Sequence, residues 1–233
     1  MSILTSPALR YSKSPPSYNP LPQGCVLWIP FWYPTLEEAS FKSMDSFGHS
    51  CTVAGTNTVK AVGGVRARYL DGTGDFVSCG TNPALNFTTG DFSVVVRCYL
   101  EDTGSHRVIV GGSSTNTPSL YSRNTETILL SKPSTANAPA ASTPMPEDVW
   151  TTLGYSFDNS EAVNNLCYYF NGAPDGIVSF DRDFSDYLNT IGATNNGGWS
   201  LWKGSVFEVG IYNRILSANE HAHWHSQVAG RSS

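Results

Sequence analysis

Close to its C-terminus the chain changes from a two-residue pattern to a helical one, and this change narrows the folds that it can adopt. In residues 202–220 apolar side chains recur at every second position, opposite Glu208 and Gly210: Phe207, Val209 and Ile211. Such alternation is typical of a half-buried strand. Ser217 and Glu220 have the spacing of a capping box, which predicts a short helix. A core strand followed by a short helix is expected to close a domain.

The same alternation recurs along the chain in short runs separated by turns. Two of the runs each place apolar side chains on one face: Phe92, Val94, Val96, Cys98 and Leu100, and further on Leu153, Tyr155 and Phe157. The dipeptide Asp71-Gly72 predicts a hairpin between the strands on either side of it. Asn171-Gly172 predicts another turn. Together these signals indicate about twelve to fourteen short strands.

Helical periodicity is confined to the residues after Ser217, so the sequence predicts an all-β fold. The economical architecture is a two-sheet antiparallel jelly-roll sandwich with an extended N-terminal arm and a short C-terminal helix. The expected divisions are a Pro-rich arm at 1–23, one jelly-roll domain at 24–227 and a tail at 228–233. Residues 131–148 contain four prolines and predict a long loop, which is either a contact surface or a solvated excursion.

The N-terminal arm is expected to be extended, because its prolines remove backbone donors and disfavour helix. Two placements are open for it: the arm lies on its own sheet, or it docks on a neighbouring subunit. The second placement is favoured because the arm has apolar side chains that form no core by themselves. The predicted subunit contacts are these anchors: Ile3, Leu4, Leu9, Tyr11 and Tyr18.

Composition excludes some classes of protein. The net charge is −5, which argues against nucleic acid because a basic stripe is needed to bind phosphates. No apolar run approaches the roughly 20 residues of a membrane span. Charged residues are 14% of the chain, below the usual quarter of about 25%, which favours a surface that partly faces other proteins. The first residues lack the apolar segment of a signal peptide, so the expected location is a virion or extracellular assembly surface, reached by cell lysis, or otherwise the cytoplasm.

The cysteines and histidines do not form a recognisable metal motif. The five cysteines are far apart, no two of them form a CxxC pair, and free buried thiols are favoured over pairing. His221 and His225 are four residues apart and would share one helical face, which can bind a transition metal. Because no acid joins them, we expect ordinary surface histidines there.

Several ordered segments resemble the LamG-like jelly-roll domains of the concanavalin A-like lectin/glucanase group. The resemblance covers roughly residues 24–227 and depends on these segments: 26–30, 45–55, 69–77, 85–94, 150–153, 169–172, 191–193 and 202–220. It implies the jelly-roll fold but does not specify the ligand, because this fold carries many functions.

The resemblance also makes calcium the cofactor to consider, since some relatives bind it through oxygen ligands on loops. The candidate ligands are acidic: Asp71, Asp75, Asp45 and Glu208. The family commonly has an acid immediately before the position of Glu208, where this chain has Phe207. Asp71 and Asp75 are alternatively expected to stabilise the turn that contains them.

No catalytic set is evident in the sequence. Glycosidases of related fold place paired carboxylates on one strand face, and no Glu-x-Asp-x-x-Glu motif occurs. Neighbouring acids such as Glu37-Glu38 and Glu101-Asp102 would face opposite ways on a strand. Gly-x-Ser-x-Gly and phosphate-binding loops are also absent from the sequence. We therefore predict a protein that is not an enzyme.

Two functions remain open. The first is a structural or adhesion subunit of a larger assembly, most simply a homo-oligomer on a phage or virus surface, in which the arm docks on a neighbour. The second is a lectin-like carbohydrate-binding module, with or without calcium. Flat aromatic rings stack on sugars, and the predicted glycan contacts are Trp199, Trp202 and Tyr33.

Overall fold

The computed structural model describes residues 19–232 with internal gaps. The gaps are residues 57, 103–105, 113–116, 124–125, 133–135, 138, 181–183, 185 and 195–199, and within 123–138 only the backbone of the remaining residues is described. The arm anchors lie outside the described residues, as does Trp199: Ile3, Leu4, Leu9, Tyr11 and Tyr18. Their predicted contacts therefore stay predictions.

The described residues form two antiparallel sheets of eight strands each, which confirms the predicted jelly-roll sandwich. In spatial order the first sheet contains β14 Ala173–Val178, β13 Leu166–Phe170, β12 Trp150–Phe157, β7 Phe92–Leu100, β16 Lys203–Tyr212, β5 Val65–Asp71 and β4 Thr58–Val62, with β1 Cys25–Pro30 beside β16. The second sheet contains β11 Ala136–Asn137, β10 Glu126–Lys132, β9 Ser119–Arg123, β8 Arg107–Gly111, β15 Thr190–Ile191, β6 Phe76–Ser78, β3 Ser50–Ala54 and β2 Ser40–Lys42.

The main core lies between the sheets and is filled by the alternating side chains that the sequence predicts. All five apolar residues predicted for one face of β7 are buried there, together with the predicted set on β12: Phe92, Val94, Val96, Cys98, Leu100, Leu153, Tyr155 and Phe157. Each strand thus contributes every second residue to a shared interior.

Part of the outer face of the first sheet is buried as well, under helix α1 (Ala218–Ala229). The predicted capping box is present: the side chain of Ser217 accepts from the Glu220 amide, and the Glu220 carboxylate accepts from the Ser217 amide. Trp224 and Val228 pack from the helix into an outer cluster that also contains Val95. No helix in the described part of the chain is long and apolar enough to cross a membrane.

Strand β16 corrects the opening prediction about Phe207. Val206 pairs with Cys98 and Glu208 pairs with Arg97, so Phe207 is an extra residue in a β-bulge. A bulge sets two successive residues against one partner and breaks the alternation. Phe207 therefore lies in the outer cluster, whereas Val209 and Ile211 lie in the main core. The strand is also buried on both faces, not on one.

The two predicted turns have different outcomes. Asn171 and Gly172 join β13 to β14 with positive φ angles of 48° and 81°, as a two-residue hairpin turn requires. The Asp71-Gly72 prediction is wrong, because β5 belongs to the first sheet and β6 to the second. That turn crosses between the sheets instead of closing a hairpin.

The described parts of residues 131–148 contain a ladder and core residues that the sequence does not predict. Ser131 pairs with Asn137 and Lys132 with Ala136 in a short ladder between β10 and β11. Ala141 and Met145 are buried in the main core. These described parts of the segment pair in a ladder and pack into the core, which corrects the expectation of a long loop.

Candidate glycan-binding face

One half of the outer face of the first sheet bears a cross-strand row of aromatic and hydroxyl side chains. Ser205 on β16 pairs with Tyr69 on β5 on one side and with Tyr99 on β7 on the other. Tyr99 in turn pairs with Trp150 on β12. Residues directly opposite each other in antiparallel strands point to the same face, so the four side chains form one line, which we call the aromatic row.

The tyrosines of the aromatic row are hydrogen-bonded to carboxylates. The hydroxyl of Tyr69 donates to Glu101 Oε2 at 2.9 Å, and the hydroxyl of Tyr99 donates to Asp148 Oδ1 at 3.1 Å. Burial, aided by the neighbouring Glu101, raises the pKa of Tyr69 to about 12. Burial and Asp148 also raise the pKa of Tyr99. Both phenols therefore stay protonated at neutral pH and act as hydrogen-bond donors, not as nucleophiles.

The centre and ends of the aromatic row differ in polarity. Ser205 is fully buried between the two tyrosines, and its Oγ has no hydrogen-bond partner among the described residues. At one end the Lys60 ammonium lies 3.3 Å from the centre of the Tyr69 ring. At the other end Trp150 is half-buried, its ring centre is 5.6 Å from that of Tyr99, and its Nε1 donates to the Val62 carbonyl. The row thus offers partly exposed ring surface and a positive charge, with the Ser205 hydroxyl buried between the two tyrosines.

Two of the residues predicted to bind glycan, Trp202 and Tyr33, do not belong to this row. Trp202 is fully buried in the main core, which corrects the expectation that its indole is available to stack on a sugar. Tyr33 is half-buried, packs against that core and meets Trp32 edge-on at 6.0 Å. Trp199 lies outside the described residues.

The predicted calcium ligands accept hydrogen bonds from the protein itself, and of the four only Asp71 and Asp75 share a turn. Asp75 accepts from the amides of Thr56 and Asp71, as expected of a turn-stabilising acid. Asp71 accepts from the amide and hydroxyl of Thr73. Asp45 accepts from three amides of its surroundings: Trp28, Phe47 and Gly48. Among the residues that the structure describes, no three His, Cys, Asp or Glu side chains form a group that could hold a metal.

Glu208 is instead the centre of a buried polar cluster at the border of the aromatic row. Its Oε1 accepts from Trp28 Nε1 at 2.8 Å, and its Oε2 accepts from Trp32 Nε1 at 2.8 Å and from Arg231 Nη1 at 3.2 Å. Phe207 stacks on Trp32 from the neighbouring position, with ring centres 6.2 Å apart. Burial raises the pKa of Glu208, although Arg231 and the indoles act in the opposite direction.

The C-terminal histidines correct a further expectation. His221 is fully buried and its ring stacks on Tyr169 at 3.6 Å, whereas His223 is exposed, as expected of a surface histidine. His225 is half-buried, and its Nδ1 is 2.8 Å from Thr152 Oγ1. Two of the three histidines of the helix therefore contact the sheet. The sequence alone could not indicate this, because it does not show which helix face packs on which strands.

Comparison with protein families establishes the class to which this chain belongs. A model of the concanavalin A-like lectin/glucanases superfamily matches residues 71–220, which is more than half of the chain. The chain therefore belongs to the concanavalin A-like lectin/glucanase superfamily, as the resemblance implied. Comparison with curated protein sequences finds no match.

Solved structures agree with this fold. Domain 4 of AbnA, a GH43 extracellular arabinanase from Geobacillus stearothermophilus, solved with arabinotriose, is 19% identical with a TM-score of 0.62, over 86% of this chain and 98% of that domain. The receptor binding domain of botulinum neurotoxin C/D mosaic serotype is 13% identical with a TM-score of 0.64, over 88% and 52%. Trypanosoma rangeli sialidase, solved with sialic acid, is 14% identical with a TM-score of 0.63, over 88% and 33%. This chain thus spans about half of the toxin domain and a third of the sialidase.

Proposed function

We propose that the protein is a non-catalytic carbohydrate-binding module that recognises glycans at the aromatic row. The single observation that carries this proposal is the registered line of Tyr69, Ser205, Tyr99 and Trp150 on an outer sheet face. Rings that stand side by side suit stacking on successive sugars, and the adjacent carboxylates and Lys60 suit their hydroxyl groups.

The chemistry of the aromatic row favours binding over bond cleavage. The phenols of Tyr69 and Tyr99 hold their protons at neutral pH because burial and the neighbouring carboxylates raise their pKa values. Glu101 and Asp148 each accept a hydrogen bond from a tyrosine hydroxyl, and these bonds hold the two tyrosine side chains in place. Arabinanase domain 4, similar in fold, was solved with arabinotriose, which makes a neutral oligosaccharide a reasonable first ligand to test.

A glycan array probed with the full chain, with calcium and with a chelator, tests the binding proposal. Tyr99→Ala is expected to weaken binding to the array hit about tenfold, because it removes a stacking ring and a hydroxyl donor worth about 1–2 kcal/mol together. Tyr33→Ala, which removes a ring at the site predicted from sequence, is the matched control and is expected to bind as the wild type does. The readout is the dissociation constant from calorimetry.

Three results would count against the proposal. One is an array without signal in both buffers, and another is Tyr99→Ala binding unchanged while Tyr33→Ala loses affinity. Shortened oligosaccharides after incubation with the wild type would contradict the non-catalytic assignment. A signal seen only with calcium would retain glycan binding and add the metal to the site.

A second candidate function is that of a subunit on a virion or another extracellular assembly. The low fraction of charged residues, 14%, and the Pro-rich segment 1–23 with its apolar anchors support this proposal. Two exposed side chains add apolar surface: Val163 (63%), which precedes β13, and Ile177 (60%), which lies on the edge strand β14. The two functions are compatible, because a surface subunit can also bind glycans.

Removing residues 1–22 tests the assembly proposal. We expect the truncated chain to keep its circular dichroism spectrum and melting transition but to lose oligomer mass in light scattering, because the arm supplies the contacts to a neighbour. A full-length variant in which all five anchors are replaced by serine is a second test, and the same loss of oligomer mass is expected for it. An oligomer mass unchanged by both changes contradicts the proposal.

A further inference from the structure

Two cysteine sulfurs meet in the main core of the sandwich. Cys51 on β3 and Cys79, which follows β6, bring their Sγ atoms to 2.8 Å. Both thiols are buried, and both residues belong to the main core. Two other cysteine thiols donate to backbone carbonyls instead: Cys25 to Leu27 and Cys167 to Tyr168.

The backbone around the two cysteines has the register that a cross-strand disulfide needs. Thr52 pairs with Ser78 in the antiparallel ladder, which sets Cys51 opposite Cys79 one position further along. The amide of Cys79 donates to the carbonyl of Asn189 at 2.8 Å and so points away from β3. The cysteines therefore form a non-hydrogen-bonded pair, in which Cα atoms are about 4.5 Å apart and side chains approach most closely. That spacing falls within the range of disulfides, roughly 4.4–6.8 Å.

We propose that Cys51 and Cys79 form a disulfide when the chain folds in the presence of a small-molecule disulfide such as oxidised glutathione. The thiolate of one cysteine attacks the glutathione disulfide and releases one glutathione thiol, and the second cysteine then displaces the other. Two protein thiols are oxidised to one disulfide, and one glutathione disulfide is reduced to two thiols. This bond would tie β3 to β6 in the second sheet, away from the aromatic row, so the proposal is independent of glycan binding.

The burial of the pair determines when the bond can form. Burial and the neighbouring thiol raise the pKa of Cys79 well above its usual value, so the folded, reduced protein presents little thiolate. The reaction is therefore expected during folding, when the strands are aligned but not yet covered, and not after prolonged exposure of the folded reduced protein to the same reagent.

Refolding the full chain from denaturant in a glutathione redox buffer tests the proposal. After free thiols are alkylated, peptide mapping without reductant is expected to find residue 51 linked to residue 79. The melting temperature of this form is expected to exceed that of the reduced form by about 5–10 °C, because the bond closes a long loop of the unfolded chain. Cys98→Ala, a change at another buried core cysteine, is the matched control and should retain the link.

The mapping is done on the monomeric fraction, so an incomplete refolding yield does not affect the result. Cys79→Ala is expected to leave residue 51 alkylated and to abolish the rise in melting temperature. Alkylated Cys51 and Cys79 in the wild type, or a bond from either of them to a different cysteine, would overturn the proposal.

Discussion

Replacing Glu208 by alanine is expected to lower the free energy of unfolding by about 3–5 kcal/mol, a large share of the stability of a domain. The carboxylate accepts hydrogen bonds from two indoles and from Arg231, and its own side chain is fully buried. Alanine would remove the acceptor of the fully buried Trp28 Nε1 and would also remove the bonds from the half-buried Trp32 and from Arg231. Each buried donor left in this way costs about 1–3 kcal/mol, and the missing volume adds a cavity.

Urea unfolding at neutral pH measures this effect, with two variants to separate its causes. Glu208→Gln keeps the volume and one acceptor but sets an amide donor against an indole donor, so an intermediate loss is expected. Glu38→Ala changes an exposed glutamate and is expected to stay within about 0.5 kcal/mol of the wild type. A loss below 1 kcal/mol for Glu208→Ala, comparable with that of Glu38→Ala, would mean that the cluster does not stabilise the packing of β16 against β1 and the turn that follows β1.

Alternation in the sequence was sufficient to predict the two sheets but not the position of every side chain. The core faces of β7 and β12 follow directly from a two-residue period, and both are confirmed. The bulge at Phe207 breaks this period, and an extra residue in one strand is visible only against its partner. The bulge also sets the position of Glu208. This residue was a candidate calcium ligand, but its carboxylate accepts hydrogen bonds from the indoles of Trp28 and Trp32 instead.

The aromatic row could be predicted only in part, because its order depends on pairing between distant strands. The sequence places Tyr99 on the face of β7 opposite the core, and the structure agrees. Ser205 and Trp150 join it through registers that link residues far apart in the chain. The prediction that Trp202 is available to a sugar was wrong. This residue precedes a strand and follows a polar loop in the sequence, but it is fully buried in the main core.

Acidification is expected to destabilise the fold through His221, beginning well above the pH at which carboxylates titrate. The ring is fully buried, and its Nε2 is 3.0 Å from Ser156 Oγ. Within the part of the chain that the structure describes, Nδ1 has no hydrogen-bond partner, so a proton added there would be buried without an acceptor. Gly154 leaves the space for the ring, because a Cβ at that position would lie 3.0 Å from the imidazole. Burial therefore lowers the pKa of His221 to about 3.

The direction of the pH effect follows from this lowered pKa. Between about pH 6.5 and pH 3 the unfolded chain binds a proton at this histidine that the folded chain does not bind. The stability contributed by neutral His221 is therefore fully present above pH 6.5 and is lost as the pH falls. From pH 6.5 to pH 4.5 the expected loss is about 2–3 kcal/mol, since one pKa unit corresponds to about 1.4 kcal/mol.

His221→Phe isolates this contribution, because phenylalanine can keep the stacking on Tyr169 but cannot bind a proton. The difference in unfolding free energy between wild type and variant, measured in urea at pH 7 and pH 5, is expected to shrink by about 2 kcal/mol at the lower pH. Glu208 has a raised pKa and His225 a lowered one, and both titrate in the two proteins alike, so their contributions cancel in the difference. His223→Phe, at an exposed position of the same helix, should reproduce the pH dependence of the wild type. Equal pH dependence in wild type and His221→Phe would contradict a buried neutral imidazole.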